Sequence, residues 1–153
     1  MNADDREMVF RWRNDPFIVV HGSSNREVNR IEHAKWFEDT LAERGRKMYV
    51  VVKQNVPIGQ VRFDRETQRD CVLSVYLLRE FTGHGWGVQA IRDGCRLIFD
   101  TWDVERVIAC VRNDNRGGRS AFRKAGFEEG EVGCPANHYS LFFRRSKTTS
   151  LDE

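Results

Sequence analysis

Gly83, Gly85 and Gly87 occupy alternate positions in the stretch FTGHGWGVQAI, between an apolar run and a helical pattern. A glycine-rich turn that leads into a helix presents unpaired backbone N–H groups where the helix dipole also favours negative charge, so the chemistry it suits is phosphate binding. Without Cβ atoms the three residues let a pyrophosphate come close to those amides. Spacing excludes two familiar phosphate motifs. The nucleotide P-loop ends in G-K-[ST], whereas Gly87 is followed by Val88 and Gln89, so its lysine and magnesium-binding hydroxyl are missing. The dinucleotide fingerprint G-x-G-x-x-G needs a last interval of three and an N-terminal βαβ unit, and here the intervals are two and two. A third kind of phosphate loop, and a plain tight turn, stay open.

The elements that must position this turn follow from periodicity. Asp4–Arg13 reads as a helix, with Met8, Val9 and Trp12 at helical spacing and Pro16 as its stop. SSNREVNRIEHAKWFEDTLAERG reads as a second helical region, from a Ser/Asn cap through Val28, Ile31, Trp36, Phe37 and Leu41 to Gly45. KMYVVVKQN and VPIGQVRFDRE form a hairpin turning at about Asn55–Pro57, and CVLSVYLL is a third strand. After the glycines, Val88, Ile91, Cys95, Ile98 and Phe99 mark one face of a helix. VERVIACVR is then a strand covered on both faces, NRGGRSAFRKAGF a short helix stopped by Gly126, and HYSLFFRR a last strand. The order predicts an α/β (α+β) fold with a mixed sheet, in which a hairpin-built antiparallel half feeds a right-handed strand–helix–strand crossover. The glycine turn lies at that crossover's first corner.

Composition sets the limits. The chain has 153 residues and 40% hydrophobic content, enough for one domain, taken as residues 1–146, with a tail at 147–153 that has nothing to bury. A net charge of +2 from 25 basic and 23 acidic side chains is far below that of a dedicated nucleic-acid binder. No apolar run approaches the roughly 18 residues of a membrane span, and MNADDRE lacks a signal peptide's basic and apolar regions, so the expected setting is cytoplasmic. Cys71, Cys95, Cys110 and Cys134 are widely spread, with no C-x-x-C, and neither a disulfide nor a metal site is expected.

Read as one unit, YLLREFTGHGWGVQAI, a strand, and NDNRGGRSAFRKAGF resemble the GCN5-related N-acetyltransferase (GNAT) superfamily over about Val72–Phe127. Its signature is R/Q-x-x-G-x-G/A followed by N-x-x-S-x-x-x-Y-x-K-x-G-F. Asn115, Lys124, Gly126 and Phe127 match. Thr82 stands for the usual Arg or Gln, Gly118 for the Ser, and Phe122 for the Tyr that often protonates the departing thiolate. A thiol of pKa about 8.5 is still a tolerable leaving group without that acid. The front-half stretches FRWRNDP, IEHAKWFE and VPIGQVRFD are similar to the branch that acetylates nucleotide-linked amino sugars, as in pseudaminic-acid biosynthesis.

The resemblance implies acetyl-CoA as cosubstrate, with no metal, lying where CVLSVYLL and VERVIACVR splay apart. Pantetheine would pair with backbone near Val75 and Leu77, and the Leu77 amide would stabilise the thioester oxyanion. The pyrophosphate would rest on amides of Thr82, Gly83, His84, Gly85, Trp86, Gly87 and Val88, with Asn115 and Phe122 also on the cofactor side. Candidate bases for the amine are Asp64, Glu66, His33 and His138. Arg13, Asn14, His33, Trp36 and His138 are the candidate acceptor contacts, since arginine suits a diphosphate and tryptophan offers an apolar plate. Arg112, Arg116, Arg119 and Arg123 read as a solvated face, with one or two available to the CoA 3′-phosphate.

Two rivals stay open: acetylation of a protein N-terminus, and a non-catalytic CoA-binding domain. The superfamily usually opens with a strand that has no counterpart before ADDREMVFRWRND. The expectation is therefore an exposed sheet edge, or one covered by a second copy or by a fused upstream domain.

Overall fold

The computed structural model describes residues 1–22 and 26–146; the expected tail and the Ser23–Ser24–Asn25 cap lie outside the described residues. A 3-10 turn at Ala3–Asp5, closed by reciprocal Asn2 and Asp5 side-chain bonds, leads into helix α1, Arg6–Arg13. Pro16 does not merely stop this helix. It opens another, α2 (Pro16–His21), whose first N–H the Asp15 carboxylate caps at Phe17, 2.9 Å away. Proline's fixed φ and missing N–H suit a helix's first position. Helix α3 spans Arg30–Ala42 and takes its cap from Asn29.

The hairpin strands are β1, Arg46–Lys53, and β2, Val56–Arg65. Their turn lies at Gln54 and Asn55, with φ of 48° and 65°, slightly earlier than the sequence suggests. Strand β3 (Asp70–Leu77), helix α4 (Trp86–Thr101) and strand β4 (Arg106–Arg112) make the crossover. Helix α5, Arg116–Lys124, a two-residue strand β5, Glu128–Glu129, and β6, His138–Arg144, complete the chain. The sheet order is β1-β2-β3-β4-β6-β5, antiparallel except for the β3–β4 pair.

Strand alternation divides the sheet into two faces. Val61, Phe63, Cys71, Leu73, Val107, Ala109, Val111 and Leu141 point toward α4 and α5 and share the main core with Ile91, Cys95 and Ile98. Each large side chain buried there contributes on the order of 1.5–3 kcal/mol. The opposite face carries Gln60, Arg62, Ser74 and Tyr76, and on the other arm Cys110 and Arg112. Over the β1 end of that face α1 and α3 build a second core from Val9, Trp12, Phe37 and Met48.

Two expectations about this fold are resolved. Residues 3–5 form a helical turn, not a strand, and β1 pairs with β2 alone among the described residues, leaving an open edge where the Met1 ammonium donates to the Met48 carbonyl. The cysteine expectation is corrected. Cys110 and Cys134 form a disulfide, with Cα atoms 5.5 Å apart, while Cys71 and Cys95 are buried and free. The bonded pair is 24 residues apart in sequence, so its proximity comes from the path of the chain between β4 and β6, which spacing does not reveal.

Candidate active site

The parallel strands touch only at their beginnings. Asp70, Cys71 and Val72 pair with Arg106, Val107 and Ile108, and beyond Val72 the ladder stops. A two-bond ion pair fastens this closed end: Arg106 donates from Nε and Nη2 to the two Asp70 oxygens, each at 2.9 Å, and holds that carboxyl below its ordinary value. Past it β4 continues along β6, and β3 continues along β2.

What faces the gap follows from the β2–β3 register. Leu78 N–H donates to the Ile58 carbonyl, so Leu78/Ile58 is a hydrogen-bonded pair. Antiparallel pairs alternate, and Leu77/Gly59, Val75/Val61 and Leu73/Phe63 are therefore the pairs without mutual bonds. The Leu73 C=O and the N–H and C=O groups of Val75 and Leu77 turn away from β2 toward β4, which has left. A row of strand backbone groups is thus open to an extended, amide-bearing ligand.

Leu77 leads through a 3-10 turn, Arg79–Phe81, to the glycines. Gly83 and Gly85 have φ of 78° and 79°, and a Cβ at either would meet nothing within 4 Å. Backbone conformation, rather than crowding, demands glycine there. The first helical bond runs from Gln89 N–H to the Gly85 carbonyl, which leaves the amides from Gly85 to Val88 without a helical acceptor. These amides and the open cradle before them fit a pyrophosphate. Thr82 contributes no long polar contact, because its hydroxyl donates to the Arg79 carbonyl at 2.7 Å. Trp86 packs on His84 and Phe81, with centroids 5.0 and 5.7 Å away, and carries Lys53 Nζ 5.7 Å from its own centroid. Sequence reasoning missed Lys53, which reaches the loop only because the hairpin tip folds beside it.

Helices α4 and α5 close one face of the splay, so an acceptor must come from the other. There Ser74 is exposed in the middle of a central strand. Next to it the Tyr76 hydroxyl donates to Gln60 Oε1 at 3.1 Å, and its ring meets Trp12 edge-on at 6.4 Å. Burial pushes the Tyr76 phenol up, opposed by Arg13 and Arg62. On the β4 side, Arg112 donates to the Val20 carbonyl at 3.0 Å and to Asp114 at 2.7 Å, tying α2 to the strand. His138 pairs with Arg112 in register, is half-buried, and has Nδ1 3.0 Å from the Ala136 carbonyl.

Several candidate residues are otherwise engaged. Both Asp64 oxygens are taken, by Arg46 Nε and by Arg62 Nε, and Asp64 pairs with Val72, five residues before Leu77. That is roughly 17 Å along a strand at about 3.4 Å per residue. Asp64 is therefore no base for chemistry at Leu77, and Glu66, exposed beyond the strand end, is farther still. Asn14 accepts from Val28 N–H and donates to Val28 C=O, both at 2.8 Å, so its amide braces the approach to α3. Arg13 donates to the Arg26 carbonyl at 3.1 Å. Asn115 caps α5 by accepting from Gly118 N–H. Phe122 is buried, its ring 5.0 Å from that of Phe127 in the main core. Among the four arginines, Arg119 stacks on Tyr139 and binds Glu129, while Arg116 and Arg123 are exposed.

His33 is corrected as a base and acceptor contact. It is 3% exposed, enclosed by Phe10, Trp36 and Phe37, and its Nε2 has no partner among the described residues. Burial, reinforced by Arg13, holds its imidazole below the ordinary 6.5. A histidine harder to protonate when folded stabilises the native state above its unfolded value, and that contribution fades as the pH falls toward the folded one. The urea midpoint is therefore expected to drop between about pH 7.5 and about pH 5.5, and His33→Phe should flatten that segment. Parallel profiles for the two proteins would exclude His33 as the cause.

Known proteins share this fold. The Campylobacter jejuni acetyltransferase PseH is 20% identical over 127 residues, covering 83% of this chain and 79% of that protein. Its structure in complex with acetyl coenzyme A superposes with a TM-score of 0.72 at 18% identity, over 95% of this chain and 94% of that one. The aminoglycoside acetyltransferase AAC(6')-Ib in complex with coenzyme A gives 0.82 at 20% identity, over 95% and 92%. Spermidine N-acetyltransferase from Vibrio cholerae, in complex with CoA and spermine, gives 0.79 at 12% identity, over 94% and 92%. A strand pair that parts, backbone groups facing the gap and a glycine loop on a helix start are here carried by a sequence that matches the acetyltransferase (GNAT) domain over residues 1–128, and the chain belongs to that family as an acetyl-CoA-dependent N-acetyltransferase.

Proposed function

We propose that the acceptor is the amino group of a nucleotide-linked amino-deoxysugar. The observation that carries this reading is electrostatic. Arg62 pairs in register with the exposed Ser74 on the face open to the acceptor, and Arg46 and Arg62 share one carboxylate, Asp64. That leaves one positive charge in excess beside the exposed Ser74. A diphosphate is attracted to such a surface and suits the arginine fork, whereas a polyamine meets like charge. Trp36, half-buried on α3, offers an apolar plate to a deoxysugar or base ring. The front-half motifs and the PseH match favour the same class.

In the reaction the amine nitrogen bonds to the acetyl carbon as the C–S bond breaks. Charge gathers meanwhile on the thioester oxygen, which the Leu77 N–H is assigned to meet. His138 is assigned to the acceptor side; the amine's proton passes to water there, and coenzyme A departs as its thiolate, which takes up a proton from water.

A thiol-release assay over a panel of amines tests the reading. A 4-amino-sugar nucleotide is expected to exceed spermidine and kanamycin in kcat/KM by about 100-fold, with the advantage shrinking as salt is added. Arg62→Gln should raise the acceptor KM about 10-fold and leave the acetyl-CoA KM unchanged. Preferential turnover of the polyamine or the aminoglycoside would overturn the acceptor assignment.

A further inference from the structure

Gly59 is buried on β2 directly opposite Leu77. Theirs is a pair without mutual hydrogen bonds, the class in which Cα atoms approach most closely, to about 4.5 Å. A Cβ on Gly59 would lie 2.2 Å from the Tyr76 carbonyl oxygen, 2.8 Å from Leu77 Cδ2 and 2.9 Å from Leu77 Cα. Two of those three atoms are backbone, which cannot swing aside as the end of a side chain can. Contrast Gly94 on α4, where a Cβ would meet only side-chain atoms, Val61 Cγ1 at 3.1 Å and Phe63 Cζ at 3.2 Å.

The crowded oxygen matters because of the group it shares a plane with. The Tyr76 carbonyl and the Leu77 N–H belong to one rigid peptide unit. Its oxygen points toward β2 and its N–H toward the gap, so pushing the oxygen away from β2 re-aims the N–H. We propose that Gly59 is a positioning residue for acetyl transfer. Its bare backbone lets the Tyr76–Leu77 peptide lie close against β2, and that closeness sets the direction of the Leu77 N–H in the splay. The inference rests on the reading of Leu77 N–H as the donor to the thioester oxygen.

The test compares Gly59→Ala, Gly94→Ala and Leu77→Pro in steady-state kinetics and thermal melts. Gly59→Ala is expected to lower kcat about 10- to 100-fold, with the acetyl-CoA KM changed less than about 3-fold, since a 1 Å misplacement at a reacting centre costs about that much. Gly94→Ala should lower Tm but leave kcat near that of the parent. A purely structural role for Gly59 predicts that both glycine variants lose stability and neither shows the kcat-against-KM split. If Gly59→Ala does not fold, Leu78→Pro replaces it: this change deletes the Leu78-to-Ile58 bond that holds the two strands together at this point, and the same split is expected. Unchanged kcat in the folded variant, with Leu77→Pro impaired, overturns the role of Gly59. Unchanged kcat in Leu77→Pro instead overturns the donor reading on which it stands.

Discussion

Leu77→Pro is expected to lower kcat by about 100- to 1,000-fold, about 2.7–4 kcal/mol of lost transition-state stabilisation, the range seen when one oxyanion donor is removed. The register makes this substitution unusually selective. Leu77 N–H faces the gap and not β2, so proline deletes no ladder bond, and the neighbouring Leu78-to-Ile58 bond at 2.8 Å is kept. Tyr76 precedes it within a strand, in the extended conformation that a following proline prefers. Leu77→Ala is the matched control. It loses a comparable buried side chain, 8% exposed in the parent, but keeps the N–H. A melting temperature lowered in both, with kcat lost only in the proline variant, is the expected pattern. Equal kcat in the two would remove Leu77 from the chemistry.

The second large effect should fall on cofactor affinity. Gly85→Val forces a β-branched residue to φ of 79°, at the N-cap of α4, and the left-handed region costs an L-residue about 1–2 kcal/mol or more. The chain relieves this by turning the peptide and re-aiming the amides of the phosphate cradle. CoA affinity, measured by calorimetry, is expected to weaken about 10- to 100-fold, with saturating kcat altered little. Gly87→Ala should be mild by comparison. Gly87 is not in the left-handed region, and its Cβ would make an ordinary 3.7 Å contact with Leu77 Cδ1. A loop in which the glycines matter only for space predicts the reverse ranking, because nothing lies within 4 Å of a Cβ at Gly85.

The cofactor side of the site was largely legible in the sequence. The three alternate glycines, the strand before them and the helical stripe after them are local features, and local features survive without tertiary information. The splayed pair, with Val75 and Leu77 facing the cofactor, is what the family resemblance implies, and the register leaves their backbone groups without a strand partner among the described residues. The acceptor side was far less legible. His33 and Trp36, three apart on one helix, suit a binding pair by their spacing, yet the helix turns His33 inward among three rings. Asp64 reads as a candidate base at a strand end, and cross-strand packing gives it two arginines. Asn14 reads as an acceptor contact and is spent on Val28. In each case the side chain's role depends on what approaches from another element, and one-dimensional spacing carries no record of that.

By itself, then, the sequence determined the order and type of the main elements, the alternate glycines at the start of a helix and a phenylalanine at position 122, because periodicity, backbone permissiveness and residue type are properties of adjacent positions. Tertiary structure alone decided which of two β3 neighbours each peptide group faces, how closely Gly59 lets the Tyr76–Leu77 peptide approach, and that Cys110 and Cys134 meet. It also decided that Arg46 and Arg62 share one carboxylate, Asp64. Those are matters of distance between segments far apart in the chain, fixed when β3 and β4 part beyond Val72 and each keeps its own partner.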